Sequence, residues 1–300
     1  MTAGILIGSS KYVEAIRDKL YGEVKTLQNN GFQVVLNSKE RGEYTFLGCN
    51  IINPGGITDY SNEELFLLFK HYIANVVSEI IVNYWEPILI RKLIKEHYPY
   101  FSEQEKENLA QKTLRFLNQC DGISANQLVY QLDRKSKILH KAIDYLHANN
   151  EIIIDGFINF RLKEYLNELR EAVDMAVDEL MMEKEYNEFV RLLQYFVEIQ
   201  EPRMAEIHVV LRASGIFQLY DAKGSLVKSD YLEGFVAGLD SEINYEDLLI
   251  SALITIAPQR VILHFHESNM YLESMVTIKN VFGDRVGICP GCDTCLYQRQ

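Results

Sequence analysis

No stretch of this 300-residue sequence stays apolar for the roughly 20 residues that a bilayer-spanning helix needs. The longest apolar run, Tyr72 to Ile90, is broken by Glu79, Asn83, Glu86 and Pro87, which points to a buried or interfacial helix. A basic leader is missing too. Met1-Thr-Ala-Gly-Ile-Leu-Ile-Gly8 carries no positive side chain ahead of its apolar residues, so it reads as a first strand rather than a signal peptide. The location expected from this is cytoplasmic, with no membrane span. Signatures of nucleotide binding and hydrolysis are lacking as well: there is no G-x4-G-K-[ST], G-x-G-x-x-G, H-E-x-x-H or G-x-S-x-G. The nearest approach, Gly8-Ser9-Ser10-Lys11 between a strand and a helix, is accounted for by Ser9 or Ser10 acting as an N-cap. Carboxylates are plentiful, but none pairs with a nucleophile at a diagnostic spacing, so the sequence supports no enzymatic activity.

Positive charge is in short supply, with 30 basic against 42 acidic side chains and a formal net charge of −12. General attraction to nucleic acid or anionic lipid is therefore not expected. A protein partner stays open, without a sequence signal for its identity. Cysteine is scarce: five residues, which in a reducing compartment are expected to be free, metal-bound or redox-active rather than disulfide-bonded.

What is present is a globular composition, 48% hydrophobic and 24% charged, enough for a sizeable core. The pattern predicts a mixed α/β (α+β) protein in three parts. Residues 1–56 read as a small N-terminal β-α-β-β unit: strands at 4–8, 32–36 and 44–52, a helix over 12–29 ended by Asn30-Gly31, and a turn at Asn53-Pro-Gly-Gly56. Residues 57–205 read as helical. Capping boxes stand at Ser61/Glu64 and Ser102/Glu105, and two helices are expected over 124–133 and 136–149. A hairpin is expected near 152–160, where Asp155-Gly156 lies between β-prone runs. A long acidic helix follows over 161–201. Within 161–206 twelve acidic residues stand against six basic ones, half the net charge of the chain. Residues 206–300 read as a C-terminal α/β unit: a meander at 207–212, 216–220 and 226–228, a helix over 245–256, then strand 260–266, helix 270–281 and strand 285–288. Strand, helix and strand within about thirty residues make a βαβ element with parallel strands.

The chemistry-bearing residues gather at its end. Cys289-Pro-Gly-Cys292-Asp-Thr-Cys295 is a C-x2-C-x2-C cluster holding three of the five thiols. If the two parallel strands are neighbours, their carboxyl ends share the edge where open α/β sheets place ligands. His264 and His266 leave the first strand there and Cys289 leaves the second. Zinc accepts shells of three cysteines and one histidine, or of two of each, so His264 or His266 can supply a fourth ligand. An iron–sulfur cubane needs a fourth cysteine, and only Cys49 or Cys120 remain. A dithiol redox function is the enzymatic alternative. A second alternative is a winged-helix-like segment, 124–163, whose Arg134, Lys135, Lys137, His140, Lys141, Arg161 and Lys163 offer a basic face for phosphates.

Three segments carry a family resemblance: Asp155-Gly-Phe-Ile-Asn-Phe-Arg-Leu-Lys-Glu-Tyr165, Glu185-Tyr-Asn-Glu-Phe-Val-Arg-Leu-Leu193 and Tyr195-Phe-Val-Glu-Ile-Gln-Glu-Pro202. In these, and in length and order of parts, the chain resembles the YtxC-like family of proteins assigned to sporulation in spore-forming Firmicutes. The resemblance implies a cytosolic sporulation-associated protein of undetermined biochemistry. It brings no established active site.

Overall fold

β-Prone runs at the N-terminus pair with one another and then with a strand 145 residues on. The computed structural model describes residues 2–29, 33–52, 62–118, 127–212, 217–227, 245–264, 273–292 and 295. The chain divides into two units, Met1–Leu180 and Met181–Gln300.

In the first unit β1 (Thr2–Ser9) lies antiparallel to β3 (Tyr44–Ile52), which pairs with β2 (Gln33–Arg41); α1 (Val13–Asn29) connects β1 to β2. β1 also runs parallel to β4 (Glu151–Ile153), giving the order β2-β3-β1-β4. Helices α2 (Asn62–Ile80), α3 (Glu86–His97), α4 (Glu103–Asn118), α5 (Gln127–Ala148), α6 (Ile154–Arg161) and the first half of α7 (Lys163–Ile199) complete it. Ile5, Ile7, Ile16, Leu20, Phe69, Ile80 and Ile152 are all at most 1% exposed in one core. The mixed α+β arrangement read from the sequence is the observed one.

The apolar stretch around Tyr72–Ile90 is not one straight helix. A π-helical turn, Ile81–Trp85, separates α2 from α3. Pro87, in the first turn of α3, has no N–H and would crowd the carbonyl of Asn83 in a continuous α-helix, so the widened turn relieves it. By length and composition Glu63–His97 passes for a membrane span, but 61% of its most apolar window is buried inside the protein, the pattern of a core helix. At α4 the Ser102/Glu105 box forms as read: Glu105 accepts from the Ser102 amide at 2.7 Å and Ser102 Oγ accepts from the Glu105 amide at 3.3 Å.

Three readings are corrected. Asp155-Gly156 turns no hairpin: Ile152 and Ile153 pair with β1, and residues 154–161 then coil into α6. The Asp155 carboxylate caps nothing there. It accepts from Ser10 Oγ at 3.1 Å and from Trp85 Nε1 at 3.3 Å. The two helices expected over 124–149 are one helix, α5, from Gln127 onward, so the winged-helix layout is not formed. Neither Ser9 nor Ser10 is the N-cap of α1. Ser9 Oγ bonds the Lys11 backbone, and Tyr12, at φ 53°, supplies the first helical carbonyl to Ile16. The expected features at Asn30-Gly31, residues 53–56 and Ser61 lie outside the described residues.

The basic face proposed on α5 is mostly neutralised. Arg134 is 5% exposed and makes a two-point ion pair with Glu86, both contacts at 3.0 Å, while Tyr165 donates to the same carboxylate at 2.7 Å. Arg134 also reaches Leu117 O and Asn118 Oδ1, so its guanidinium ties α5 to α3 and α4, and Glu86 joins α7 through Tyr165. Burial, reinforced by the Glu86 charge, pushes the Tyr165 hydroxyl well above its ordinary pKa. Lys137 meets Glu168 at 2.8 Å and Lys141 meets Glu164 at 3.4 Å.

In the second unit β5 (Met204–Leu211) pairs antiparallel with β6 (Phe217–Asp221) and parallel with β7 (Pro258–His264), which runs parallel to β8 (Val286–Ile288). The order is β6-β5-β7-β8. α8 (Tyr245–Ile256) precedes β7 and α9 (Glu273–Phe282) joins β7 to β8, so the expected βαβ element is present. Ile207, Val209, Leu219, Val261 and Leu263 turn one sheet face onto Leu253, Ile256, Met275, Ile278 and Phe282 of the two helices. Burying each such side chain stabilises by about 1.5–3 kcal/mol.

Removing one member of a buried ion pair strands the other charge. Glu86→Ala is therefore expected to destabilise the protein by about 3–5 kcal/mol in urea unfolding, and Tyr165→Phe by about 1.5–3 kcal/mol, the value of a hydrogen bond to a charged group. A loss under 1 kcal/mol for Glu86→Ala, on the scale of an exposed pair, would contradict the clamp.

Candidate metal centre

Strand periodicity sets up the site. Residues of β5 alternate, so Ile207, Val209 and Leu211 enter the core while Glu206, His208 and Val210 share the opposite face. The parallel register places Val210 beside His264, the last residue of β7. β8 ends at Ile288, paired with Leu263, and the amide of Cys289 donates to Leu263 O at 3.0 Å. That bond extends the parallel ladder and delivers the first thiol to the carboxyl end of β7. The chain then reverses through Pro290-Gly291. Gly291 has φ 119°, a backbone angle that side chains rarely allow, and the reversal returns Cys292 to His264.

The four donors converge. One ligand atom each from His264, Cys289, Cys292 and Cys295 all lie within 4.8 Å of one another. Cys292 Sγ is 3.3 Å and Cys295 Sγ 3.4 Å from His264 Nδ1, and the two sulfurs are 3.8 Å apart. A tetrahedron with metal–sulfur bonds of about 2.3 Å and metal–nitrogen bonds of about 2.0 Å has sulfur–sulfur edges of about 3.8 Å and sulfur–nitrogen edges of about 3.5 Å. The distances among His264, Cys292 and Cys295 match those edges, and Cys289 lies within the same 4.8 Å group.

The electrostatics point the same way. Burial pushes the Cys295 thiol up to about 11, and the neighbouring sulfurs of Cys292 and Cys289 oppose a further charge. A cation among the three sulfurs would offset that cost. Burial, followed by the neighbouring His208, holds His264 below the ordinary histidine pKa, which favours the neutral imidazole that a metal requires. The other ring nitrogen is engaged: His264 Nε2 lies 2.8 Å from His208 Nδ1, and His208 Nε2 lies 3.0 Å from Glu206 Oε1. With Glu206 accepting from His208 Nε2–H, and His208 Nδ1 from His264 Nε2–H, the lone pair of His264 Nδ1 faces the thiols. One carboxylate thus orients two rings.

Of the residues singled out in the sequence, the structure brings together His264 and the three loop cysteines. His266 and Cys120 lie outside the described residues. Cys49 sits on β3, fully buried in the core of the first unit, its thiol pushed up to about 12 by burial alone. Glu206 and His208 were missed. Their signal was the alternation Glu206, His208, Val210 on one strand, which becomes meaningful only once β5 is known to lie beside β7.

The fold and this donor set describe a two-unit mixed α/β protein with a group of one histidine and three cysteines at the edge of a largely parallel sheet. The chain belongs to the YtxC-like family, whose model matches residues 71–287. That span includes His264 and ends two residues before Cys289. A relative, the uncharacterized protein YtxC of Bacillus subtilis strain 168, is 28% identical over 226 residues, covering 70% of this chain and 78% of that protein. No solved structure matches the chain.

Thiol reactivity separates the two kinds of cysteine. In native, chelator-treated protein, brief alkylation followed by peptide mass mapping is expected to label Cys289 and Cys292 well before Cys49. Equal labelling of Cys49 would show that β3 is not the buried strand described.

Proposed function

We propose that this protein binds a zinc ion through His264 Nδ1 and the thiolates of Cys289, Cys292 and Cys295. The convergence of these four donor atoms within 4.8 Å carries the reading. Zinc is favoured over an iron–sulfur cluster because the site offers three sulfurs and one imidazole, a shell suited to a tetrahedral d10 ion. A cubane takes a fourth cysteine, and Cys49 is built into the other unit's core. With four protein ligands the ion is structural: it would staple the C-terminal loop to the sheet edge, and the protein acts without a reaction of its own at the metal. A nucleic-acid partner has less support, since Arg134 is buried against Glu86 and Lys137 and Lys141 face carboxylates. Bound zinc would also hold the thiols out of redox exchange.

Elemental analysis of untagged protein purified without chelator is expected to give about one zinc per chain. Cys289→Ser should lose it, and His208→Ala should weaken it by about 10–100-fold, because the imidazole ligand is no longer oriented. Less than about a tenth of an equivalent of zinc or iron, unchanged in Cys289→Ser, would overturn the reading.

The cytosolic sporulation setting belongs to the same proposal and rests on the family resemblance. Deleting the gene in a spore-forming host is expected to lower the yield of heat-resistant spores. The wild-type gene should restore it and a Cys289/Cys292/Cys295→Ser version should not. An unchanged spore count on deletion would remove the sporulation role, leaving the metal site to stand on the elemental analysis.

A further inference from the structure

Several cations in this chain face carboxylates: Arg17 meets Glu14, Arg91 meets Glu107, Arg134 meets Glu86, Lys112 meets Glu179. Among the described residues Arg212 meets none. Its Nε donates to Gln218 Oε1 at 2.7 Å and its Nη2 to the Tyr220 hydroxyl, with the guanidinium carbon 5.9 Å from the Tyr220 ring. Tyr220 in turn donates to Gln218 Oε1 at 2.8 Å, so two neutral side chains lock each other and the guanidinium. Two of the five guanidinium N–H groups are used. Among the described residues the other three have no acceptor, and the charge has no counter-ion.

The position of Arg212 is as telling as its partners. It follows Leu211, the last residue of β5, just as His264 ends β7 and Cys289 follows β8. All three parallel strands thus deliver a chemistry-bearing residue to the same carboxyl edge, where open α/β sheets hold ligands. A cavity of about 720 Å³ opens there, lined by His208, Arg212, Tyr220, Lys223, His264 and Cys292 among others. That volume falls in the range of small-molecule sites. Val210, 2% exposed, gives it an apolar floor. Lys223 on the β6 turn adds a second cation at the rim. Among the described residues lining the cavity the only carboxylate is that of Asp221, and it is turned into the backbone: Oδ1 accepts from the amides of Lys223 and Ser225 at 2.9 and 2.8 Å. Glu206, behind the lining, is engaged by His208.

We propose that this cavity binds a small molecule through an anionic group, a carboxylate or a phosphate, seated on the free edge of Arg212. A guanidinium fixed in place offers paired N–H groups in the spacing that such oxygens accept, and little ordering remains for the ligand to impose. The thiolates lie at the His264 side of the cavity, so repulsion places the anion at the Arg212 side, toward Lys223. The site goes beyond the zinc reading and does not need the metal.

Isothermal titration of the full chain at constant ionic strength tests this, with inorganic phosphate and succinate as separate probes. Each is run on protein as purified and after chelation, with metal content measured on the same samples. Saturable binding of at least one probe is expected, and the better one names the anionic group. Arg212→Gln should weaken it at least about tenfold, and Arg212→Lys should weaken it less, keeping the charge while losing the fork. Absence of saturable binding of both probes up to about 10 mM would overturn the proposal. Arg212→Gln binding as tightly as wild type would do the same. If Arg212→Gln fails to fold by circular dichroism, Arg212→Lys carries the comparison and the wild-type titration decides alone. Anion binding retained in a sample without metal upholds this site even where the zinc reading fails.

Discussion

The hydrogen bond from the Cys289 amide to Leu263 O, 3.0 Å long, carries the parallel ladder of β7 and β8 past the end of β8. Everything proposed for the C-terminal unit depends on that register. Because the two strands run the same way, His264 and Cys289 emerge side by side rather than at opposite ends of a hairpin. The register in turn is held from the other sheet face, where Val261 and Leu263 are fully buried against α8 and α9. A slip of one residue would turn those side chains outward and His264 inward, so hydrophobic burial of one face fixes the chemistry of the other.

On that second face charge and hydrogen bonding take over from packing. Glu206, His208 and His264 form one directed chain whose last lone pair points at three thiols. Burial disfavours ionising the Cys295 thiol, and a divalent cation would reverse the balance. At the neighbouring strand end the partners of Arg212 among the described residues are neutral. The cavity therefore has two electrostatic ends, one that suits a cation and one that suits an anion. Both follow from the same arrangement of three parallel strand ends. In the first unit the comparable polar cluster, Glu86 with Arg134 and Tyr165, satisfies itself internally and serves to tie helices together.

Local signals in the sequence were legible where neighbours in sequence are neighbours in space. The β7-α9-β8 element spans about thirty residues, so its parallel pairing and the meeting of His264 or His266 with the cysteine loop were readable from spacing. The helices carrying the apolar run and the acidic stretch were likewise visible from periodicity. Long-range pairing misled at Asp155-Gly156: a strong hairpin signal gave way because Ile152 and Ile153 pair with β1, about 145 residues earlier. Residues 134–135 read as a break between helices, whereas they lie within one continuous helix from which Arg134 makes a buried ion pair. Glu206, His208 and Arg212 were invisible for the same reason, since their role requires β5 beside β7, some fifty residues away.

X-ray absorption at the zinc edge, on protein loaded with one equivalent of zinc, measures the shell directly. Three sulfurs at about 2.3 Å and one nitrogen at about 2.0–2.1 Å are expected, with the multiple scattering of an imidazole ring. A shell of oxygen and nitrogen alone, or a spectrum unchanged in His264→Ala, would contradict the assignment of His264, Cys289, Cys292 and Cys295 as the metal's ligands.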